Sequence, residues 1–164
     1  MMADIFNAFE VFEMAEQIER NGGKFYRKAA GLTEDDGLKN ALLQLASMED
    51  EHIRVFSSMK EGVSGKPWAE GFEQENEAVL FLRAMAGGKV FGPQHDPSEL
   101  LDNMSMEEII TKAIGLEKES IVFYTGIKEL VPPDLGREKL DGIIKEEMRH
   151  VRILIDRLEL MAEA

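Results

Sequence analysis

The sequence predicts an all-α fold: a bundle of four long helices, arranged as two antiparallel hairpins joined by a long crossover. Three observations carry this reading. Apolar residues recur at helical spacing over four long stretches, and clean period-2 alternation is hard to find. Short polar or proline-containing breaks separate the stretches within each pair. A shift of 98 residues lays the second pair on the first without a gap.

The first helix is expected from about Asp4 to Ala30, closed by Gly31 and the run Thr33-Glu34-Asp35-Asp36-Gly37. The second runs from about Leu38 to Lys60, with Leu38, Leu42, Leu45, Phe56 and Met59 on one face, and is stopped by Gly62, Gly65 and Pro67. Residues 62–104 differ. They hold Gly71, Gly87, Gly88, Gly92, Pro93 and Pro97, with one short helical candidate from Glu73 to Met85. This segment reads as a connection inside a single domain, 1–164. The third helix runs from about Ser105 to Leu130; Ser105 is a good N-cap, and Glu108 completes a capping box. Val131-Pro132-Pro133-Asp134 breaks the chain, and the fourth helix follows to about Met161. A lone hairpin cannot bury its apolar stripes, so the two pairs must dock face to face.

The 164 residues suit one domain, and 44% hydrophobic with 31% charged residues is ordinary for a folded chain. Nineteen basic against 32 acidic residues give a net charge of −13, which disfavours nucleic acid and anionic lipid as partners. The chain has no cysteine, which excludes disulfides, thiolate metal sites and cysteine nucleophiles. No apolar run reaches the ~18 residues of a membrane span, and the acidic start (Asp4, Glu10, Glu13, Glu16) does not read as a signal peptide. A cytoplasmic location is expected.

The 98-residue shift also aligns chemistry. Glu19 falls on Glu117, Tyr26 on Tyr124, Glu49 on Glu147 and His52 on His150. Both tyrosines of the chain, and two of its three histidines, lie at matched positions. A single Glu-x-x-His means little: 23 glutamates and three histidines in 164 residues give about 0.4 by chance. Two in phase, each 30 residues after another glutamate, is a specific signal.

Glu19 lies about 12 residues before its helix ends, and Glu49 about 13 after the next begins, so both stand roughly 18–20 Å from the turn. Positions i and i+3 share a face, which aims Glu49 with His52 and Glu147 with His150. That face is the apolar one. Glu19 is flanked by Phe12, Ala15 and Tyr26, Glu49 by Leu42, Leu45 and Phe56, Glu117 by Ile110, Ala113 and Tyr124, and Glu147 by Leu140, Ile143 and Leu154. Converging these stripes buries four carboxylates, which is prohibitive unless they are protonated or cation-bound. Two divalent ions balance the charge, and a carboxylate–imidazole donor set suits iron or manganese. The candidate ligands are Glu19, Glu49, His52, Glu117, Glu147 and His150.

These residues resemble those of the ferritin-like di-iron carboxylate proteins, most closely the rubrerythrin branch, whose helix bundle takes one Glu from each of two helices and Glu-x-x-His from each of the others. The similarity covers both hairpins. The run Glu19-Arg-Asn-Gly-Gly-Lys-Phe-Tyr26 resembles the family's first ligand motif, Glu49-Asp-Glu-His52 its second and Glu147-Met-Arg-His150 its fourth. The resemblance implies a ferritin-like bundle holding two iron ions, with manganese or a mixed pair as alternatives. Glu49, together with Glu117 or Glu147, would bridge; Glu19 would be terminal, with one histidine on each metal. It implies an oxidoreductase reacting with peroxide or dioxygen, an external electron donor and a homodimer or larger homo-oligomer. Two departures stand out. Ser120 occupies the position where rubrerythrins usually add a carboxylate, and there is no cysteine for their iron-relay domain. Ferroxidase or iron-storage activity without an organic substrate, and a helical interaction protein with a vestigial site, are the competing readings.

Tyr26 and Tyr124 are candidates either to bond a ligand carboxylate or relay an electron, or simply to fill the core. Gly22 and Gly23, mid-helix, imply space beside the metals or close helix packing. Ser120 is a candidate pocket residue. Glu51, Glu119 and Glu146 read as solvated, His95 as a loop histidine, and Trp68, Phe72, Phe81 and Phe91 as packing for the crossover.

Overall fold

The computed structural model describes residues 7–65, 72–73, 75–86 and 96–164. Five α-helices are present among them: α1 (Ala8–Gly31), α2 (Asp36–Val63), α3 (Glu77–Ala86), α4 (Met106–Leu130) and α5 (Arg137–Glu163). Short 3-10 helices cover Pro97–Asn103 and Pro133–Leu135. Among the described residues no helix is long and apolar enough to cross a membrane.

Local chemistry sets the ends. Asn7 and Glu10 form a capping box at α1, with the Asn7 side chain 3.0 Å from the Glu10 amide. The Asp35 carboxylate accepts from the Leu38 amide at 2.7 Å and starts α2. Ser105 and Glu108 cap α4 reciprocally, as their spacing predicts. Gly136, at φ +106°, makes the left-handed turn into α5, and Arg137 Nε donates to the Val131 carbonyl at 2.9 Å across the break.

α1 pairs with α2 and α4 with α5. The core comes in two apolar halves. One gathers Val11, Phe12 and Ala15 of α1, Phe56 and Met59 of α2, Phe123 and Ile127 of α4, and Leu140 and Ile143 of α5. The other gathers Phe25 and Ala29 of α1, Leu42 and Leu45 of α2, Ile109 and Ile110 of α4, and Leu154 of α5. Each long helix therefore passes from one half to the other, with its candidate ligands between. Helices α1 and α5 run one way; α2 and α4 run the other.

This polarity explains the crossover. Helix α2 ends in the first half and α4 begins in the second, so the connection must travel the length of a helix, roughly 38 Å for 25 residues. Its described parts mark the route. Val79 and Leu82 of α3 are buried in the first half, and Leu101 of the 3-10 helix in the second. α3 lies so close to α4 that a methyl group on Gly126 would meet the Phe81 ring at 2.8 Å. At the other end Lys28 Nζ donates to the Ser98 carbonyl at 2.8 Å, and Lys24 pairs with Asp96. The helix expected over 73–85 appears as α3 but begins only at Glu77; the 3-10 helix within the expected loop was not anticipated. Phe72 and Phe81 pack against the first half as expected. Trp68, Phe91 and His95 lie outside the described residues.

Candidate metal centre

All six candidate ligands meet in the polar layer between the two apolar halves. Glu19 and His150 have no exposed surface, and Glu49, His52, Glu117 and Glu147 keep 4% or less. Each helix reaches this layer at its middle, where i and i+3 side chains on α2 and α5 point inward together. Donor atoms from Glu19, Glu49, His52 and Glu147 lie within 4.8 Å of one another, and so do those from Glu49, Glu117, Glu147 and His150. Glu49 and Glu147 belong to both groups; Glu19 and Glu117 belong to one each.

The histidines present Nδ1 to the carboxylates. His52 Nδ1 is 2.8 Å from Glu147 Oε1 and 3.3 Å from Glu19 Oε2. His150 Nδ1 is 3.0 Å from Glu49 Oε1 and 3.4 Å from Glu117 Oε1. The two rings stack, centroids 5.6 Å apart and 18° from parallel. Proximity does not satisfy these atoms: among the described residues, Glu49 Oε1, Glu147 Oε1 and both ring nitrogens of His150 are buried without a well-formed hydrogen bond. Buried polar atoms are rarely left so. Converging anionic and imidazole donors that do not satisfy one another fit a bound cation.

The electrostatics agree. Burial first, then the charges of Glu19 and Glu117, push the Glu49 carboxyl well above the usual carboxylate range. Burial and the neighbouring carboxylates Glu117, Glu49 and Glu19 do the same to Glu147. Burial alone would raise Glu117, but the neighbouring Glu147 carboxyl, the nearby His150 imidazole and the Tyr26 hydroxyl together outweigh it and hold that group below its ordinary value. Without metal the layer therefore retains protons, chiefly on the two shared glutamates. Burial would lower His52, yet its contacts with Glu19 and Glu146 raise it.

Both tyrosines enter the layer, each from one hairpin onto the other. Tyr26 donates to Glu117 Oε1 and Tyr124 to Glu19 Oε1. Burial first, then carboxylate charge, raises both phenols well above their usual range, so they stay protonated donors. Of the two readings open for these residues, hydrogen bonding to a candidate ligand is the observed one. Phe56 packs 5.0 Å from the Tyr124 ring. Gly22 faces the layer: a methyl group there would lie 3.2 Å from Glu49 Oε2. Gly23 faces Arg27 and the Ala46 carbonyl instead, a helix-packing contact.

Two expectations need correction. Ser120 is buried, but its hydroxyl donates back to the Leu116 carbonyl of its own helix at 3.1 Å and not to a candidate ligand. Glu146 is not merely solvated. Its carboxylate reaches across to His52 Nε2 at 2.6 Å while its side chain stays 44% exposed. The partner lies on another helix, so sequence spacing alone could not point to it. Glu51 is exposed and pairs with Arg54. Glu16, buried one turn before Glu19, was also not anticipated.

No protein-family model matches the chain. An uncharacterised protein of Archaeoglobus fulgidus is 40% identical over 58 residues, which is 35% of this chain and 90% of that protein. The crystal structure of a Thermotoga maritima protein, provisionally described as a ferritin-like diiron-carboxylate protein, superposes with a TM-score of 0.67. That match is 20% identical in sequence and covers 96% of this chain and 97% of the other. The fold of the present chain is thus ferritin-like, a helical bundle with a buried Glu/His cluster at its middle.

Proposed function

We propose that the protein is a non-haem di-iron carboxylate oxidoreductase acting on peroxide or dioxygen. The observation that carries this reading is the pair of four-residue donor groups sharing Glu49 and Glu147. Two divalent cations would offset the four buried carboxylate charges, which otherwise remain partly protonated. Glu19 with His52 would hold one ion and Glu117 with His150 the other, with Glu49 and Glu147 serving both. A mixed carboxylate–imidazole set without thiolate favours iron or manganese. The described relationship of the T. maritima protein to diiron-carboxylate proteins supports the same choice.

When bound, two ferrous ions would supply the electrons that reduce peroxide or dioxygen. The chain's own residues do the rest. Tyr26 and Tyr124 hold Glu117 and Glu19 by hydrogen bonds. The apolar halves above and below exclude bulk water. Gly22 leaves Glu49 room to shift its carboxylate. An external electron donor completes the cycle.

Anaerobic loading with ferrous iron tests the reading. The expected result is about two ions per chain, from the ligand count, and oxidation on adding stoichiometric peroxide or air. A chain that binds no iron, or whose bound ferrous iron stays reduced under both oxidants, overturns it.

A further inference from the structure

Resting on that two-metal reading, we propose that Glu146 is a positioning residue that makes the two halves of the centre unequal, so that the Glu19–His52 half binds its ion more tightly. The two hairpins match at every candidate ligand and at both tyrosines. Beside the centre they part at Gly22, which falls on Ser120, and at the one of these positions that contacts a histidine: the 98-residue shift places Met48 where the second hairpin has Glu146.

That difference reaches the histidines. His52 Nε2 meets the Glu146 carboxylate at 2.6 Å. His150 Nε2 is fully buried and has no hydrogen-bond partner among the described residues. A carboxylate accepting from Nε2–H fixes that tautomer, aims the ring and leaves the Nδ1 lone pair for a cation. His52 Nδ1 is the atom that faces Glu19 and Glu147. The carboxylate also raises the basicity of the imidazole that ligates. The His150 ring has neither aid, and the repeat sets in Glu146's place Met48, whose thioether is a poor acceptor. The first ion should therefore load on the Glu19–His52 side.

Titration of the metal-free full-length chain with cobalt(II), followed by visible absorption and metal analysis, tests this apart from any activity. Wild type is expected to bind two ions in distinguishable steps. Glu146→Ala should weaken the tighter step by about 10–100-fold, the range for lost partners of ligating histidines, and leave the weaker one essentially unchanged. Glu146→Gln should lie between wild type and Glu146→Ala, because an amide oxygen still accepts from Nε2–H although the charge is gone. Met48→Glu should tighten the weaker step. Melting of the metal-free variants monitors the fold, and Glu146 is exposed enough for the fold to survive. If Glu146→Ala leaves both steps unchanged, or if both Glu146 variants weaken both steps equally, the inference is overturned; the second outcome would mark a charge effect alone. A wild-type chain that binds no cobalt overturns the two-metal reading itself and the inference with it.

Discussion

Tyr26 on α1 donates its hydroxyl to Glu117 on α4, 91 residues away, so the first hairpin holds a candidate ligand of the second. Tyr124 returns the bond to Glu19. The exchange locks the hairpins in register at the layer where the cations would sit. Each hydroxyl satisfies a buried carboxylate oxygen that has few other donors.

Removing either hydroxyl should therefore destabilise the metal-free protein without abolishing metal binding. Tyr26→Phe and Tyr124→Phe are each expected to cost about 1–3 kcal/mol, the penalty for a buried polar atom deprived of its partner. Denaturant melts of the metal-free variants measure this. Both variants should still take up two ions, because no ligand is lost. Unchanged melts would show that the tyrosines only fill space.

The glutamates should divide into two classes. Glu49 and Glu147 belong to both donor groups, whereas Glu19 and Glu117 belong to one each. Glu49→Ala or Glu147→Ala should abolish binding of both ions, and Glu19→Ala or Glu117→Ala chiefly one. Metal analysis after gel filtration distinguishes the classes. The wild type should also gain about 2.7 kcal/mol of stability at an ion concentration 100 times the dissociation constant, and the Glu49 and Glu147 variants none.

Much of this was legible in the sequence because the repeat supplied its own control. Glu19, Glu49, His52, Glu117, Glu147 and His150 each occupy an apolar stripe twice over, and the structure brings all six together. Helix ends followed from local chemistry, as at Ser105 and Glu108. What periodicity could not reveal were contacts between helices whose rotation is set by packing. Glu146 sits about 100° round α5 from Glu147, a solvated position on a helical wheel, yet the neighbouring α2 brings His52 within its reach. The assignment of Glu49 and Glu147 as the shared pair likewise needed the docked geometry.

The raised carboxyls predict an inverse pH dependence. In the folded, metal-free state Glu49 and Glu147 hold their protons to higher pH than in the unfolded chain, where they titrate near 4.5. The folded state then binds more protons, so these groups' contribution to stability is complete below about 4.5 and is lost as pH rises through the shifted values. Metal-free wild type should lose more stability between pH 5 and 8 than a Glu49→Gln/Glu147→Gln variant, by urea melts. Equal slopes would place the protons elsewhere.

Glycines in the helices should respond oppositely to alanine according to what they face. Gly115 and Gly142 are exposed helical positions with open space where a methyl group would go. Gly115→Ala and Gly142→Ala are expected to stabilise by about 0.5–1 kcal/mol each. A methyl group on Gly22 would crowd Glu49 Oε2 at 3.2 Å, so Gly22→Ala should weaken metal binding even if the apo fold gains helix propensity. Thermal melts paired with metal titration separate the two effects, and unaltered metal affinity in Gly22→Ala would show that Glu49 has room to spare.

Glu16 offers the clearest test of how the first apolar half tolerates charge. It is 2% exposed. Its Oε2 accepts from Arg20 at 3.1 Å and Lys60 at 3.0 Å, and its Oε1 has no hydrogen-bond partner among the described residues. The repeat places Ile114 at the matching position of α4. Lys60 is itself largely buried and lies 5.2 Å over the Phe9 ring, whereas Arg20 is about half exposed. Lys60→Met therefore removes the better-shielded partner and should destabilise by about 1–3 kcal/mol. Replacing a buried ion pair by apolar side chains is often neutral or stabilising, so Glu16→Ile/Lys60→Met should be at least as stable as wild type. Arg20 reaches solvent and stays charged there at little cost. Chemical denaturation across the double-mutant cycle measures the coupling. If the double variant is less stable than Lys60→Met alone, the carboxylate stabilises this end of the bundle beyond its pairing, and Glu16 cannot be treated as an isoleucine position that acquired a charge.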